Sequence, residues 1–192
     1  MINLERRPAR LAHHDLRNTK VIKAVDGQTL STQQIKNAPM RPNWRDPYRN
    51  RRMTKGEYGC FMSHVQCWEE VAAGTEPILI LEDDAILTEE YNEDMLLGRI
   101  NNHLPAVDFI YLGYNENIPS SVVYHGDGFI TPAFPYNTHA YLLTPKGASI
   151  LLGLTRANNF SIIPLDDWFS ELLEKGLVKA LAVEMSMANQ LP

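Results

Sequence analysis

The stretch PILILEDDAIL, residues 77–87, carries the densest chemical signal in the chain: four aliphatic residues run straight into three carboxylates. Ile78 to Leu81 read as a strand covered on both faces, which delivers Glu82, Asp83 and Asp84 together at its carboxyl end. In an extended segment alternate side chains share a face, so Glu82 and Asp84 are expected to converge while Asp83 points away. Two convergent carboxylates leave a hard cation several open positions, which suits Mg²⁺ or Mn²⁺ bridging to a phosphate ligand. The residues alone equally allow a solvated acidic turn. A second acidic pair, Asp166 and Asp167, follows Ile162, Ile163, Pro164 and Leu165. On residue type alone it reads first as helix capping, with a carboxylate base as the other reading.

Basic residues gather in two places. Asn3, Leu4, Glu5, Arg6, Arg7 and Pro8 join a first strand to a helix expected near Pro8, where Arg6, Arg7 and Arg10 could meet phosphate at a helix N-terminus. Residues 41–55 hold Arg41, Arg45, Arg49, Arg51, Arg52 and Lys55, either a solvated loop or an anion and acidic-membrane contact. His64, on one helical stripe with Cys60 and Cys67, reads as a packed core residue before a ligand, and His139 is ambiguous between the two.

The elements that must position these groups alternate between β-rich and helical runs, as in a layered α/β sheet. Strands are expected at 1–4, 21–25, 78–81, 109–112, 140–143 and 177–183. The clearest helix spans 55–73: Thr54 and Glu57 form a capping box, and Tyr58, Phe61, Met62, Val65, Trp68 and Ala72 repeat at helical spacing before Gly74. A second follows Thr144 and Pro145, with Ala148, Leu151 and Leu152 inward. A third begins near Asp166, turns Trp168, Phe169, Leu172 and Leu173 inward, and stops at Gly176. Residues 37–52 and 115–138 read as long irregular loops, where ligand selection concentrates.

At 192 residues and 44% hydrophobic content the chain suits one domain, and its net charge of -5 argues against a nucleic-acid partner. Cys60 and Cys67 lie two helical turns apart, too far for a disulfide, and read as reduced thiols. No run approaches the ~20 apolar residues of a membrane span, so the expectation is a cytoplasmic protein. Asn159, Phe160 and Ser161 match a glycosylation acceptor by chance in that setting.

Taken in order, NLERRPAR at 3–10, AVDG at 24–27, TKGEYGCFMSH at 54–64, ILILEDDAIL at 78–87, FIYLGY at 109–114, THAYLLTPKGASILL at 138–152 and PLDDW at 164–168 resemble glycosyltransferase family 25. That family contains bacterial lipooligosaccharide galactosyltransferases and collagen hydroxylysine galactosyltransferases. The resemblance implies a GT-A type α/β fold: a Rossmann-like nucleotide-binding half, about 1–114, joined over one mixed sheet to an acceptor half, about 115–192. It implies a UDP-sugar donor, Mn²⁺ or Mg²⁺, inversion at the anomeric carbon, and a glycan or lipid-linked saccharide acceptor met at the inner face of a membrane. By the same resemblance Asp84 is the metal ligand with Glu82 near metal or ribose, and Asn3, Arg6, Arg7, Asp26, Gly27 and Asp83 surround the nucleotide. Asp166 and Asp167 match the later acidic motif and become the candidates for the base, reversing the capping preference. A non-catalytic nucleotide-sugar or glycan-binding domain is the competing class. An aspartyl-phosphate hydrolase fits poorly, because Glu82, not Asp, comes first after the strand.

Overall fold

The computed structural model describes residues 1–14, 17–115, 123–132, 136–157 and 161–191. Strand β1 (Ile2–Asn3) pairs in parallel with β2 (Ile22–Lys23), and a single bridge from Ile2 to Glu82 continues that ribbon to the carboxyl end of β3 (Ile78–Leu81). The short strand β4 (Ala85–Leu87) follows the acidic turn at once. Beyond it run β5 (Phe109–Asn115), β6 (Tyr124–Gly126), β7 (Phe129–Ile130), β8 (Tyr136–Leu143), β9 (Ala180–Val183) and β10 (Ala188–Gln190). The central sheet has six strands in the order β3-β8-β5-β9-β7-β6 and is mixed: β5 and β9 are parallel, the other neighbours antiparallel. Strand β10 lies apart, antiparallel to β4.

Helices flank this sheet. They are α1 (Thr32–Asn37), α2 (Lys55–Ala72), α3 (Glu93–Ile100), α4 (Pro145–Ala157) and α5 (Leu165–Glu174). The Thr54 and Glu57 capping box forms, with both reciprocal hydrogen bonds present. Thr144 caps α4 by accepting from the Gly147 amide at 2.9 Å, and Gly176 takes the left-handed φ of 65° that ends α5. Phe61, Trp68, Trp168 and Phe169 interlock at the heart of the helix layer, with ring centroids 5.2 Å apart for Phe61 and Trp168. Phe169 carries this cluster onto the sheet, its ring 4.9 Å from Phe109 of β5 and 5.9 Å from Tyr141 of β8 between centroids.

Several expectations change. Strand β3 is not covered throughout: Ile78 is 44% exposed and only Ile80 and Leu81 are buried. Its second edge is met only at Glu82, by β1, so its amino end lies open. The helix expected at Pro8 is a six-residue 3-10 helix, Pro8–His13. The 115–138 stretch holds β6, β7 and the start of β8 rather than one loop, although 116–122 and 133–135 lie outside the described residues, as do Asn159 and Phe160 of the acceptor triplet.

Two glycines set how closely α2 approaches the 25–27 turn. A Cβ on Gly59 would sit 2.3 Å from the Val25 carbonyl oxygen, and one on Gly27 2.0 Å from that of Lys55. The Ser63 hydroxyl fastens the same contact, accepting from the Val25 amide at 2.8 Å and donating to the Gly59 carbonyl at 2.7 Å. Gly59→Ala is therefore expected to cost about 1–3 kcal/mol or more, because backbone, not a flexible side chain, must give way. Urea unfolding measures it, and an unchanged midpoint would contradict the close packing.

Candidate functional site

A cleft of about 340 Å³ opens between the β1-β2 ribbon, the amino half of α2 and the acidic turn after β3. Ile2, Leu4, Ala24 and Val25 form its apolar wall, while Arg6, Arg10 and Lys55 bring cations to its rim. Asp26 accepts from Arg6 Nε at 2.7 Å and from the Gln28 amide at 2.9 Å, so it orders both that arginine and the 3-10 turn Gly27–Thr29. Arg7 is brought elsewhere: it is exposed and does not line the cleft. Arg10, one turn further on, reaches in instead.

The three carboxylates divide differently from strand alternation. The chain turns at Asp83 and Asp84, with the Ala85 amide donating back to the Glu82 carbonyl at 3.1 Å, so Glu82 and Asp84 do not simply share a strand face. Glu82 faces α2, where its Oε1 is 3.0 Å from His64 Nε2 and accepts from Cys60 Sγ at 3.5 Å. Burial pushes the Glu82 carboxyl up, but these hydrogen bonds and the imidazole outweigh it and hold the carboxyl below its ordinary value. An ionised Glu82 requires the proton on His64 Nε2, so Nδ1 accepts from the Tyr141 hydroxyl at 2.8 Å, and that hydroxyl accepts from Trp68 Nε1 at 2.8 Å.

Asp83 faces the amino-terminal segment. It accepts from Asn3 Nδ2 at 2.8 Å, from the Leu4 amide at 3.0 Å and from Arg10 Nη1 at 2.8 Å. Asn3, expected at the nucleotide, is buried in this contact. Asp84 lies on the other side of the same guanidinium, 3.0 Å from Arg10 Nη1, with Gln190 Nε2 3.4 Å from its Oδ1. Burial and the like charge of Glu82 raise the Asp84 carboxyl above its ordinary value, against the pull of Arg10 and Gln190.

A hard divalent ion fits here: one guanidinium stands against three carboxylates, and Asp84 and Glu82, both lining the cleft, offer oxygen donors whose mutual repulsion a cation would relieve.

The second acidic pair separates cleanly. The residue before α5 is Pro164 and no side chain caps the helix, so neither aspartate is the N-cap residue, although both lie in the first turn. The Asn137 amide and the Thr138 hydroxyl of β8 lie close enough to Asp166 to favour its charged form, Asn137 holding a left-handed φ of 71°. Burial, with the repulsion of Glu82 added, raises its pKa to about 6 despite the pull of those two donors. Cys60, Tyr111 and Glu82 all lie within reach of its charge, although Asp166 itself does not line the cleft. Asp167 faces outward among Asp46, Glu57 and Arg51; burial and then the two carboxylates raise its pKa, with Arg51 opposing.

Sequence reading missed Gln190, and the anchoring by Thr138 and Asn137. Gln190 is 106 residues from Asp84, and nothing local marks it.

A mixed sheet with helices around it, an acidic turn at the end of β3 and a cleft with an apolar wall and a cationic rim define an α/β protein with a charged cleft at one end of its sheet. Comparison with known proteins gives the family: residues 1–125 match the model of glycosyltransferase family 25, described as an LPS biosynthesis protein. Human procollagen galactosyltransferase 2 is 32% identical over 190 residues, covering 91% of this chain and 30% of its own length. A rat protein named probable inactive glycosyltransferase 25 family member 3 is 31% identical over 188 residues, with 91% and 32% covered, and a Drosophila melanogaster glycosyltransferase 25 family member is 32% identical over 188 residues, with 91% and 30% covered. The chain belongs to glycosyltransferase family 25. It spans about three tenths of the length of these relatives. Among the described residues no helix is long and apolar enough to cross a membrane.

Proposed function

We propose that this chain is an inverting, metal-dependent hexosyltransferase of the GT-A type, moving galactose from UDP-galactose to a hydroxyl of a lipopolysaccharide or lipooligosaccharide precursor. The observation that carries this reading is the acidic turn that lines the cleft, with the Asp166 carboxylate near enough to interact electrostatically with Glu82. Family membership supports transferase chemistry, the human relative's name supports galactose, and the family description supports the acceptor class. The amino-terminal half holds the donor and the carboxyl-terminal half, including α5, serves the acceptor. A cytoplasmic setting, peripheral to a membrane through residues 41–55, follows from two free thiols and the basic cluster.

In this reading the uracil and ribose lie along Ile2, Leu4, Ala24 and Val25, and Arg6, Arg10 and Lys55 face the diphosphate. Asp84 with Glu82 would hold Mn²⁺ or Mg²⁺, which supplies neutralisation of the departing diphosphate. Asp166 takes the proton of the acceptor hydroxyl as its oxygen bonds to the anomeric carbon; the bond from that carbon to the phosphate oxygen breaks, and UDP leaves with the electron pair. Asp167 is too far into the Arg51 cluster to share the role.

A second reading is supported by the relatives named inactive: a nucleotide-sugar-binding domain without turnover. Thermal unfolding with UDP, Mn²⁺, both and neither tests the donor site. Ligand at ~100 times its Kd adds about 2.7 kcal/mol, a shift of several degrees for a chain of this size. The expected result is stabilisation by UDP only with Mn²⁺, lost in Asp84→Asn. Normal UDP stabilisation of Asp84→Asn would sink the metal assignment. Release of UDP from UDP-galactose in the presence of acceptor separates the enzyme from the binding domain.

A further inference from the structure

Three ligand atoms of different chemistry meet on one wall of the cleft, and sugar transfer as described uses only one of the residues. Cys60 Sγ, His64 Nε2 and a Glu82 carboxylate oxygen all lie within 4.8 Å of one another. Cys60 and His64 are four residues apart on α2, which stacks them on one helical face. Glu82 meets them from the end of β3.

We infer that Cys60, His64 and Glu82 form a zinc-class metal site, separate from the hard-cation position at Asp84. The donor set decides the class: thiolate and imidazole with one carboxylate select a borderline-soft ion, whereas Mg²⁺ and Mn²⁺ prefer oxygen alone. Spacing agrees. Zinc bond lengths put neighbouring ligands of a tetrahedral site roughly 3.3–3.7 Å apart. Here Sγ is 3.5 Å and Nε2 3.0 Å from Glu82 Oε1, so small side-chain shifts suffice. All three residues line the cleft, which leaves the fourth position to solvent or an anion.

The surroundings fix the orientation of the imidazole, with Nε2 toward Glu82 and Nδ1 toward Tyr141. His64 is fully buried, stacks on the Tyr141 ring at 5.6 Å between centroids, and presents Nδ1 to the Tyr141 hydroxyl, itself fastened by Trp68. On binding, the Cys60 thiol loses its proton to solvent and Sγ bonds the ion. The imidazole proton moves from Nε2 to Nδ1, the Tyr141 hydroxyl turns its own hydrogen away so that its oxygen accepts from Nδ1, and Nε2 gives its lone pair to the ion. Thiolate and carboxylate together balance the two positive charges. Burial and the neighbouring carboxylates keep the Cys60 thiol neutral without an ion, and a bound cation inverts that preference. One consequence rests on the transferase reading: an ion that claims Glu82 for α2 withdraws it from the donor, so zinc would inhibit.

Cobalt substitution tests the site without any assay of transfer. One equivalent of Co²⁺ added to the reduced protein should give a thiolate-to-cobalt charge-transfer band and tetrahedral visible bands, displaced by Zn²⁺ and unaffected by excess Mg²⁺. Cys60→Ser should lose the band and at least about tenfold in zinc affinity. Cys67→Ser should keep both, since Cys67 lies two turns away beside the amino-terminal ammonium. No thiolate band in the wild type, or a band that follows Cys67, overturns the site. The wild-type spectrum decides even if Cys60→Ser folds poorly, and a transferase lacking the band would leave the donor reading standing.

Discussion

Asp166→Asn should remove sugar transfer while sparing both UDP binding and the fold. A general base of this kind contributes ~10²- to 10⁴-fold, and turnover should fall by that factor. The donor cleft is built from other residues, so the Mn²⁺-dependent thermal shift with UDP should persist. Stability should not suffer, and the sign follows from protonation. Burial raises the folded carboxyl from 3.8 to about 6. Its favourable contribution is complete below the unfolded value and is lost as pH rises through the folded one. Near neutral pH the ionised group therefore costs up to on the order of 2–3 kcal/mol, reduced by its partial exposure. Asparagine carries no charge and keeps an oxygen that can face the same neighbours, so the variant should melt no lower than the wild type. In the wild type, transfer should rise with pH through about 6 as the base ionises. Retained turnover in Asp166→Asn would assign the proton to another group.

The largest effect on stability is expected from Asp83→Ala, at about 3–5 kcal/mol. Asp83 is 4% exposed and gathers three donors from the amino-terminal segment: the Asn3 amide, the Leu4 backbone and Arg10. Alanine leaves the buried Asn3 side chain and the Leu4 amide without acceptors and releases Arg10 from one of its two carboxylates. Denaturant unfolding gives the cost, and a loss under about 1 kcal/mol would show that the ribbon is held by its apolar contacts alone. UDP stabilisation should weaken with it, because β1 walls the cleft. On the proposed donor site, Asp83 would act by fixing the strand that walls the cleft.

The parts of this architecture legible in the sequence are those whose signals are local. Thr54 and Glu57 announce α2 because a capping box is closed within four residues, and Gly176 marks the end of α5 because the turn needs a left-handed residue. The strands at 78–81 and 109–112 show as apolar runs. Strands β4, β6, β7 and β10 are two or three residues long and exist only through their partners, so no pattern precedes them. The acidic turn was legible as a cluster but not as a geometry: strand alternation predicts Glu82 beside Asp84, whereas the bend at Asp83 sends Glu82 to α2 and leaves Asp83 and Asp84 on either side of Arg10. The roles of Asp166 and Asp167 could not be divided by position, since two neighbours at a helix start look alike until β8 supplies donors to one of them.

The acidic turn is tied to Asn3 across 80 residues of chain, to Arg10 across 73 and to Gln190 across 106. Contacts of such span close against a large loop entropy and reward the chain only once the sheet between them exists. The turn therefore acquires its partners late in folding, after α2 and its aromatic neighbours have condensed. A nascent or partly unfolded chain would carry the carboxylates without the cleft, and competence to hold a nucleotide would arrive with the last docking of the amino-terminal ribbon.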